Sequence, residues 1–230
     1  MKQIYDYTRE ELMEIALANG FKKYNGDQLF RWIYRRRADD YQQMSDLSLK
    51  VREYFENEYA IGPLKILKLQ VSRDGTRKYL FELADGAAIE TVLMHYDYGD
   101  CICVTSQLGC NMGCKFCASG LLKKQRNLTA GEMVNQFLSV QKDVDALDIR
   151  VSNIVVMGIG EPFDNYDNVL KFCAIVNDDN GFGIGARHIT ISTCGLVPMI
   201  RRFADEGKQY NLAISLHGPN DEIRSSIMPI

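Results

Sequence analysis

The chain has 230 residues, 46% of them hydrophobic and 25% charged, with a formal net charge of −3. These values are ordinary for a globular protein with one large domain, or with a small and a medium one. No apolar run approaches the ~20 residues that span a bilayer, and the polar amino terminus has no signal-peptide core. Seven cysteines, three of them in one loop, disfavour a secreted disulfide framework and predict a cytoplasmic location.

The first stretch of the chain, residues 1–62, is predicted to form a small helical accessory domain. Thr8 and Glu11 have the spacing of a capping box that starts one helix, and Gly20 ends it. Two further helices are predicted before the stretch ends, because apolar residues recur there at helical spacing.

A local basic patch lies inside this helical stretch. Between positions 22 and 37 there are two lysines and four arginines against one aspartate. Because a negatively charged chain needs such a patch to bind nucleic acid, Arg35, Arg36 and Arg37 are candidate contacts to a nucleic-acid backbone. The alternative is a solvated helix face. Trp32, in the same run, is predicted to lie in the core.

Period-two alternation from residue 63 to 100 predicts an antiparallel β-hairpin extension. Two Asp-Gly pairs separate its three β-rich runs, and such pairs are strong hairpin signals. From 101 to 230 strands alternate with helices. This pattern predicts an α/β fold with a parallel sheet or partial barrel of about four units and a site at the carboxyl ends of the strands.

Three cysteines with the spacing C-x3-C-x2-C carry the strongest chemical signal, and they are Cys110, Cys114 and Cys117. A closed structural zinc site needs four ligands, whereas three thiolates suit a [4Fe–4S] cluster with one iron left open. An open iron can hold a chelating molecule such as S-adenosylmethionine (SAM), whose cleavage starts radical chemistry. The alternatives are buried apolar cysteines, or a zinc site with its fourth ligand elsewhere.

The segment 103–120 resembles the radical SAM methyltransferases that modify adenine in RNA, the RlmN/Cfr family; it reads CVTSQLGCNMGCKFCASG. Further matches follow in order along essentially the whole chain, at 88–93, 156–165, 191–195 and 214–217. These segments are more similar to the family members that methylate carbon 2 of adenine in 23S ribosomal RNA and in tRNA. The rival group methylates carbon 8 of the same ribosomal adenine.

The resemblance implies a radical SAM partial barrel of six units, a [4Fe–4S] cluster on the three cysteines, and SAM. It also implies SAM contacts by six residues after predicted strands, namely Gly160, Glu161, Ser192, Ser215, Leu216 and His217. Glu161 is the candidate partner for the ammonium of the methionine moiety, because a carboxylate suits an ammonium. On spacing alone, this position is a tight turn with a solvent-facing glutamate.

The resemblance further implies a reaction that uses two SAM molecules per turnover. One methylates a cysteine near the carboxyl terminus, and the other yields a 5′-deoxyadenosyl radical that activates this methyl group for addition to adenine. Glu90 is implied as the proton acceptor for the ring hydrogen. Cys103 is implied as the thiol that releases methylated RNA and forms a transient disulfide. Read alone, Glu90 is an exposed strand position and Cys103 a core-facing one.

One family segment is not found in these 230 residues, the Ala-Cys-Gly-Gln-Leu-like segment that carries the methylated cysteine. The chain is therefore expected to be a fragment cut inside the catalytic domain, able to bind a cluster but unable to methylate RNA. Cys194 is not a plausible substitute, and Cys101 and Cys173 are interpreted as structural.

The implied partners are 23S ribosomal RNA, tRNA and an electron donor such as flavodoxin or ferredoxin, with a monomeric protein that binds no membrane. Candidate phosphate contacts surround the cysteine loop, where the alternative is a solvated rim: Lys115, Lys123, Lys124 and Arg126. Two other functions remain as alternatives. One is a carbon-8 methyltransferase of the Cfr type, and the other is a non-catalytic iron–sulfur or zinc protein that binds RNA.

Overall fold

The computed structural model describes all residues from 1 to 230. Capping residues define where the main helices begin: Thr8 and Thr129 each complete a capping box with the glutamate three residues later. The seven α-helices are α1 Arg9–Ala18, α2 Lys23–Phe30, α3 Leu49–Glu58, α4 Ala130–Asp145, α5 Tyr166–Asn177, α6 Val197–Asp205 and α7 Asp221–Ile227.

The strands are β1 Lys2–Gln3, β2 Tyr59–Ala60, β3 Lys65–Val71, β4 Arg77–Glu82, β5 Ala88–Met94, β6 Asp100–Cys103, β7 Gln107–Leu108, β8 Arg126–Asn127, β9 Val151–Val156, β10 Ile189–Thr193 and β11 Asn211–Ile214. Seven of them form one sheet in the order β11-β10-β9-β6-β5-β4-β3. The strands β3 to β6 pair antiparallel, and β6, β9, β10 and β11 run parallel. The predicted α/β class is confirmed, and the hairpin extension continues the parallel sheet.

The two faces of this sheet differ in burial, and this difference positions functional residues. Side chains along β5 and β10 alternate between buried and half-buried. Residues paired directly across strands share a face. The registers across β5, β6, β9 and β10 therefore place Glu90, Cys103 and Ser192 on the same half-buried face. Ile154 and Ile191 belong to the apolar core on the opposite face.

The chain divides into two compact units, each built from several segments. The first unit comprises residues 1–64, 129–149 and 170–184, and the second comprises 65–128, 150–169 and 185–230. The seven-stranded sheet lies within the second unit. The division into domains at 1–62, 63–100 and 101–230 stays a prediction.

The prediction that Trp32 lies in the core was wrong. After α2 the chain forms a π-helical turn, Arg31–Arg35, instead of continuing as α-helix. A π-turn closes a hydrogen bond one residue further along than an α-turn. Ile33 and Tyr34 are fully buried in this arrangement, and Trp32 remains half-exposed.

Candidate active site

A cavity of about 320 Å³ lies at the carboxyl ends of the parallel strands in the second unit. Residues that end or follow β9, β10 and β11 line it, which is where open α/β sheets bind ligands. Eight of the nine residues assigned above to the cluster or to SAM line this cavity: Cys110, Cys114, Cys117, Gly160, Glu161, Ser192, Ser215 and His217. Leu216, the ninth, does not line it and is 65% exposed.

The loop between β7 and β8 carries the three candidate cluster ligands. All seven cysteines of the chain are free thiols, and burial raises the pKa of Cys110 and Cys114. No group of three or more His, Cys, Asp or Glu side chains is arranged to bind a single metal ion. In a [4Fe–4S] cluster each cysteine binds a different iron, so the thiols need to reach one cavity and not one point. The donor set fits such a cluster.

Glu161 is buried at the edge of this cavity, with 4% exposure. Its Oε1 accepts a hydrogen bond from the Phe163 amide at 3.0 Å, and its Oε2 accepts one from the Cys194 amide at 2.8 Å. A carboxylate oxygen has two lone-pair sites. The Cys194 thiol also hydrogen-bonds to this carboxylate. Three protein donors leave part of its acceptor capacity for a ligand, and the side chain is not solvent-facing.

Gly160 allows close approach of two backbone segments. Its φ is +106°, and a Cβ added there would lie 2.5 Å from the Cβ of Gln107. Any larger residue would both strain the backbone and displace Gln107. The glycine is required by the tertiary contact as well as by the turn.

Gln107 connects the cysteine loop to the turn that carries Glu161. The Gln107 side chain is fully buried; its Oε1 accepts from the Glu161 amide at 2.8 Å, and its Nε2 donates to Asn127 and to Asp164 at 2.8 and 2.9 Å. Lys124 Nζ also donates to Asp164, at 2.7 Å. Burial by itself raises the pKa of Asp164, but the hydrogen bonds from Lys124 and Gln107 outweigh it and hold the pKa below 3.8.

Sequence reasoning gave no role to Gln107, which supports the turn of Glu161, or to Cys194. Cys194 lines the cavity with 6% exposure. Burial, and then the hydrogen bond of its thiol with Glu161, raise the pKa of Cys194. Gln107 lies in the segment that carries the family resemblance, but no local pattern reveals that its amide joins three distant groups. Its role follows from the tertiary structure alone.

Glu90 and Cys103 lie outside the cavity lining but near each other on the half-buried sheet face. The β5 partner of Cys103 is Val92, two residues from Glu90, and such diagonal neighbours are separated by roughly 7–8 Å. Burial raises the pKa of Cys103, partly opposed by a hydrogen bond from the Met157 backbone. Glu90 is 43% exposed and pairs with Lys78 at 2.7 Å.

The four basic residues around the cysteine loop are not equivalent. Lys124 is paired with Asp164, and the Arg126 guanidinium donates twice to Asp85, at 3.0 and 2.7 Å. Lys115 and Lys123 are exposed. The latter two are the better candidates for a phosphate contact, since a cation already paired with a carboxylate attracts an anion less strongly.

Comparison with known proteins relates this geometry to a family. The family model for the radical SAM superfamily matches residues 104–229, and that for the "Ribosomal RNA large subunit methyltransferase N-terminal domain" matches residues 2–61. The chain is 56% identical over 231 residues to the "Probable dual-specificity RNA methyltransferase RlmN" of Enterococcus faecalis. The chain belongs to the RlmN family of radical SAM proteins. Membership of the radical SAM superfamily implies a [4Fe–4S] cluster and SAM.

A second RlmN relative and a solved structure agree with this assignment. The protein of the same name from Streptococcus gordonii is 57% identical over 229 residues, covering 99% of this chain and 63% of that protein. The crystal structure of a radical SAM methyltransferase from Sphaerobacter thermophilus superposes with a TM-score of 0.93 at 43% identity, covering 100% of this chain and 67% of that one.

The chain spans about two thirds of the length of its RlmN relatives: all of it aligns with 65% of the Enterococcus faecalis protein. None of its helices has the length and hydropathy of a membrane span.

Proposed function

We propose that this chain forms the cluster- and SAM-binding part of an RNA methyltransferase that acts on carbon 2 of adenine. Its targets are adenine 2503 of 23S ribosomal RNA and adenine 37 of tRNAs. The observation that supports this best is the one cavity lined by Cys110, Cys114, Cys117 and Glu161 in a chain of the RlmN family. Carbon 2 is favoured over carbon 8 because both curated relatives described above carry the RlmN name.

The residues of the cavity have separate roles in this proposal. When bound to the three cysteines, the cluster supplies the electron that cleaves SAM to a 5′-deoxyadenosyl radical. Glu161 accepts a hydrogen bond from the methionine ammonium with the acceptor capacity that the Phe163 amide and the amide and thiol of Cys194 leave free. Gly160 lets SAM approach the backbone closely. The ribose, adenine or carboxylate of SAM is contacted by Ser192, Ser215, Leu216 and His217.

Glu90 and Cys103 complete the reaction on the neighbouring sheet face. Two SAM molecules are used per turnover, one to methylate a cysteine and one to activate that methyl group. Glu90 accepts the ring proton of adenine, and its ion pair with Lys78 at 2.7 Å holds the carboxylate on the sheet face that also carries Cys103. The Cys103 thiolate then attacks the sulfur of the thioether that joins RNA to the methyl-carrying cysteine, which is not among these 230 residues. The S–S bond forms as the C–S bond breaks, and the carbon takes the electron pair and a proton, which releases the methylated RNA and leaves a transient disulfide.

The proposal defines partners and a compartment. RNA is the substrate, and a one-electron donor such as flavodoxin or ferredoxin reduces the cluster. The protein acts as a monomer in the cytoplasm, where the seven free thiols stay reduced.

Metal content and SAM cleavage test the proposal together. The chain, purified without oxygen and reconstituted with iron and sulfide, is expected to bind about four irons and to release 5′-deoxyadenosine from SAM under reduction. Replacing Cys114 with alanine removes a ligand, so we expect the brown colour and 5′-deoxyadenosine formation to be lost. Elemental analysis measures the bound iron, and chromatography of the nucleoside measures 5′-deoxyadenosine.

Cys194→Ser is the matched control, because Cys194 lines the same cavity but is not assigned to the cluster. It is expected to keep its iron. A colourless protein that holds zinc and forms no 5′-deoxyadenosine would instead support the non-catalytic alternative. Mass spectrometry of adenosine modified by the full-length protein distinguishes carbon 2 from carbon 8.

A further inference from the structure

A second cavity, of about 340 Å³, lies in the first unit beside α2 and the π-helical turn. We call it the arginine pocket, and its lining residues are Gln28, Arg31, Trp32, Arg35, Arg36 and Asp46. Three arginines against one aspartate make it positive in a chain of net charge −3. A water molecule takes about 30 Å³ in the liquid. The pocket thus has space on the order of ten waters, enough for a phosphate group with its solvent.

The π-helical turn is what brings the arginines together. The Arg36 amide donates to the Arg31 carbonyl, five residues earlier, at 3.0 Å. In an α-helix, with about 100° per residue, positions 31 and 36 would lie about 140° apart around the axis. The wider π-turn reduces this angle, so Arg31, Arg35 and Arg36 line one pocket. Such turns occur frequently at functional sites.

Trp32 holds one of these arginines in place. The Arg36 guanidinium lies 4.0 Å from the centre of the indole ring, and the indole Nε1 donates to Asp46 at 2.5 Å. Stacking on a ring immobilises a guanidinium and leaves its N–H edge free to bind an anion. Arg31 donates to Asp27 at 2.9 Å but remains half-exposed, and a guanidinium has five N–H donors.

We propose that the arginine pocket binds a backbone phosphate of RNA. Arginine suits a phosphate because its planar fork donates two parallel hydrogen bonds. RNA is the partner because residues 2–61, which include every residue of the pocket, match an N-terminal domain of ribosomal RNA methyltransferases. The inference rests on the proposed function and deepens it by naming the residues that contact RNA.

The structure also separates neighbours within the basic run. Arg37 comes directly after Arg36 but does not line the pocket. Its Nε donates to Asp145 at 2.8 Å within the same unit. Its φ of +56° lies in the left-handed region, so the helical backbone does not continue through Arg37. Arg37 therefore provides a control, because it carries the same charge as Arg36 but lies outside the pocket.

Salt-dependent RNA binding tests the pocket. Fluorescence anisotropy with a labelled RNA hairpin measures the affinity of the reconstituted 230-residue chain at several salt concentrations. We expect R35Q and R36Q each to weaken binding about 3- to 10-fold, and R37Q by less than 2-fold. The double variant R35Q/R36Q should lower the slope of log K against log salt by about 0.7 to 0.9, the value for one phosphate contact.

Two further variants separate charge from stacking. R36K keeps the positive charge, so the slope of log K against log salt should equal that of the unsubstituted chain. The affinity for RNA should fall. W32A should resemble R36Q, because it releases the guanidinium, whereas W32F keeps a ring beneath it and should bind more tightly than W32A. Unchanged thermal unfolding midpoints for the arginine variants exclude a loss of folding as the cause.

The proposal is overturned if R37Q weakens binding as much as R35Q, or if R35Q/R36Q leaves affinity and slope unchanged. Competition by polyglutamate as effective as that by unlabelled RNA would also overturn it in favour of an acidic protein partner. Release of 5′-deoxyadenosine should be the same in all these variants. A chain that binds RNA through the pocket but never cleaves SAM would contradict the proposed function and leave the pocket assignment standing.

Discussion

At the scale of single residues, the carboxylate of Glu161 accepts hydrogen bonds from the amides of Phe163 and Cys194 while it lines the cavity. A buried carboxylate without partners would be costly, and two amide donors remove most of that cost. The same hydrogen bonds fix the orientation of the side chain. A ligand ammonium would therefore meet a pre-organised acceptor, which lowers the entropic cost of binding.

Gly160→Ala is expected to destabilise the protein strongly and to weaken SAM binding. The positive φ costs about 1–2 kcal/mol for alanine, and the clash with the Gln107 side chain adds about 1–3 kcal/mol. We expect the free energy of unfolding to fall by about 2–5 kcal/mol, as measured by urea denaturation.

Gly86→Ala is the control for this prediction, because Gly86 has a φ of +81° and nothing within 4 Å of an added Cβ. It should lose only the backbone contribution of about 1–2 kcal/mol. Equal losses at both positions would show that the contact between Gly160 and Gln107 has no energetic role.

At the scale of elements, the cysteine loop is connected at both of its ends. Gln107 precedes the three cysteines, Lys124 follows them, and both donate to the side chain of Asp164. Asp164 belongs to the short 3₁₀-helix Pro162–Asn165, directly after the turn that carries Glu161. One carboxylate thus connects the two ends of a loop of about seventeen residues.

The lowered pKa of Asp164 predicts how stability depends on pH. A carboxyl group whose pKa is depressed by folding stabilises the protein above its ordinary pKa, 3.8 here, and this contribution is lost as pH falls through the lower value. Asp164→Asn should therefore melt at a lower temperature than the unsubstituted chain at pH 7, and the difference should shrink below about pH 4.

A double-mutant cycle assigns this effect to the ion pair. If Lys124 and Asp164 act together, Lys124→Met combined with Asp164→Asn should cost less than the two single changes added. Strict additivity at pH 7, or a difference that persists unchanged to pH 3, would contradict the role given to this pair.

At the scale of the whole molecule, both compact units are built from segments that are distant in the sequence. The first unit combines the amino-terminal helices with α4, where the Asp6 side chain accepts a hydrogen bond from the Gly131 amide at 2.7 Å. The second unit contains the sheet and every residue assigned to the cluster and to SAM. The basic pocket and the cysteine cavity thus belong to different units.

The 230 residues by themselves are expected to cleave SAM without methylating RNA. The residues proposed to hold the cluster and SAM are present, but none of the seven cysteines lies in a segment like the Ala-Cys-Gly-Gln-Leu-like one described above. Incubation with ribosomal RNA, SAM and a reductant should yield 5′-deoxyadenosine and no methyladenosine by mass spectrometry. Methylated adenosine in excess of a Cys114→Ala control would contradict this expectation.

Local patterns in the sequence predicted most of the elements. The three β-rich runs predicted between residues 63 and 100 are the strands β3, β4 and β5, and the capping box predicted at Thr8 starts α1. These features depend on neighbours within a few residues, so they can be read directly from the chain. The cysteine spacing is equally local, and it indicated the cluster before any fold was known.

Tertiary structure alone decided the surroundings of these elements. The sequence predicted a core position for Trp32 and grouped Arg37 with Arg36, because an α-helical period cannot reveal a π-turn. It gave no role to Gln107, whose hydrogen-bonding partners lie between 20 and 57 residues away. Burial and long-range hydrogen bonds depend on where distant segments meet. The sequence therefore determined which chemical groups the protein carries, and the fold decided which of them share a cavity.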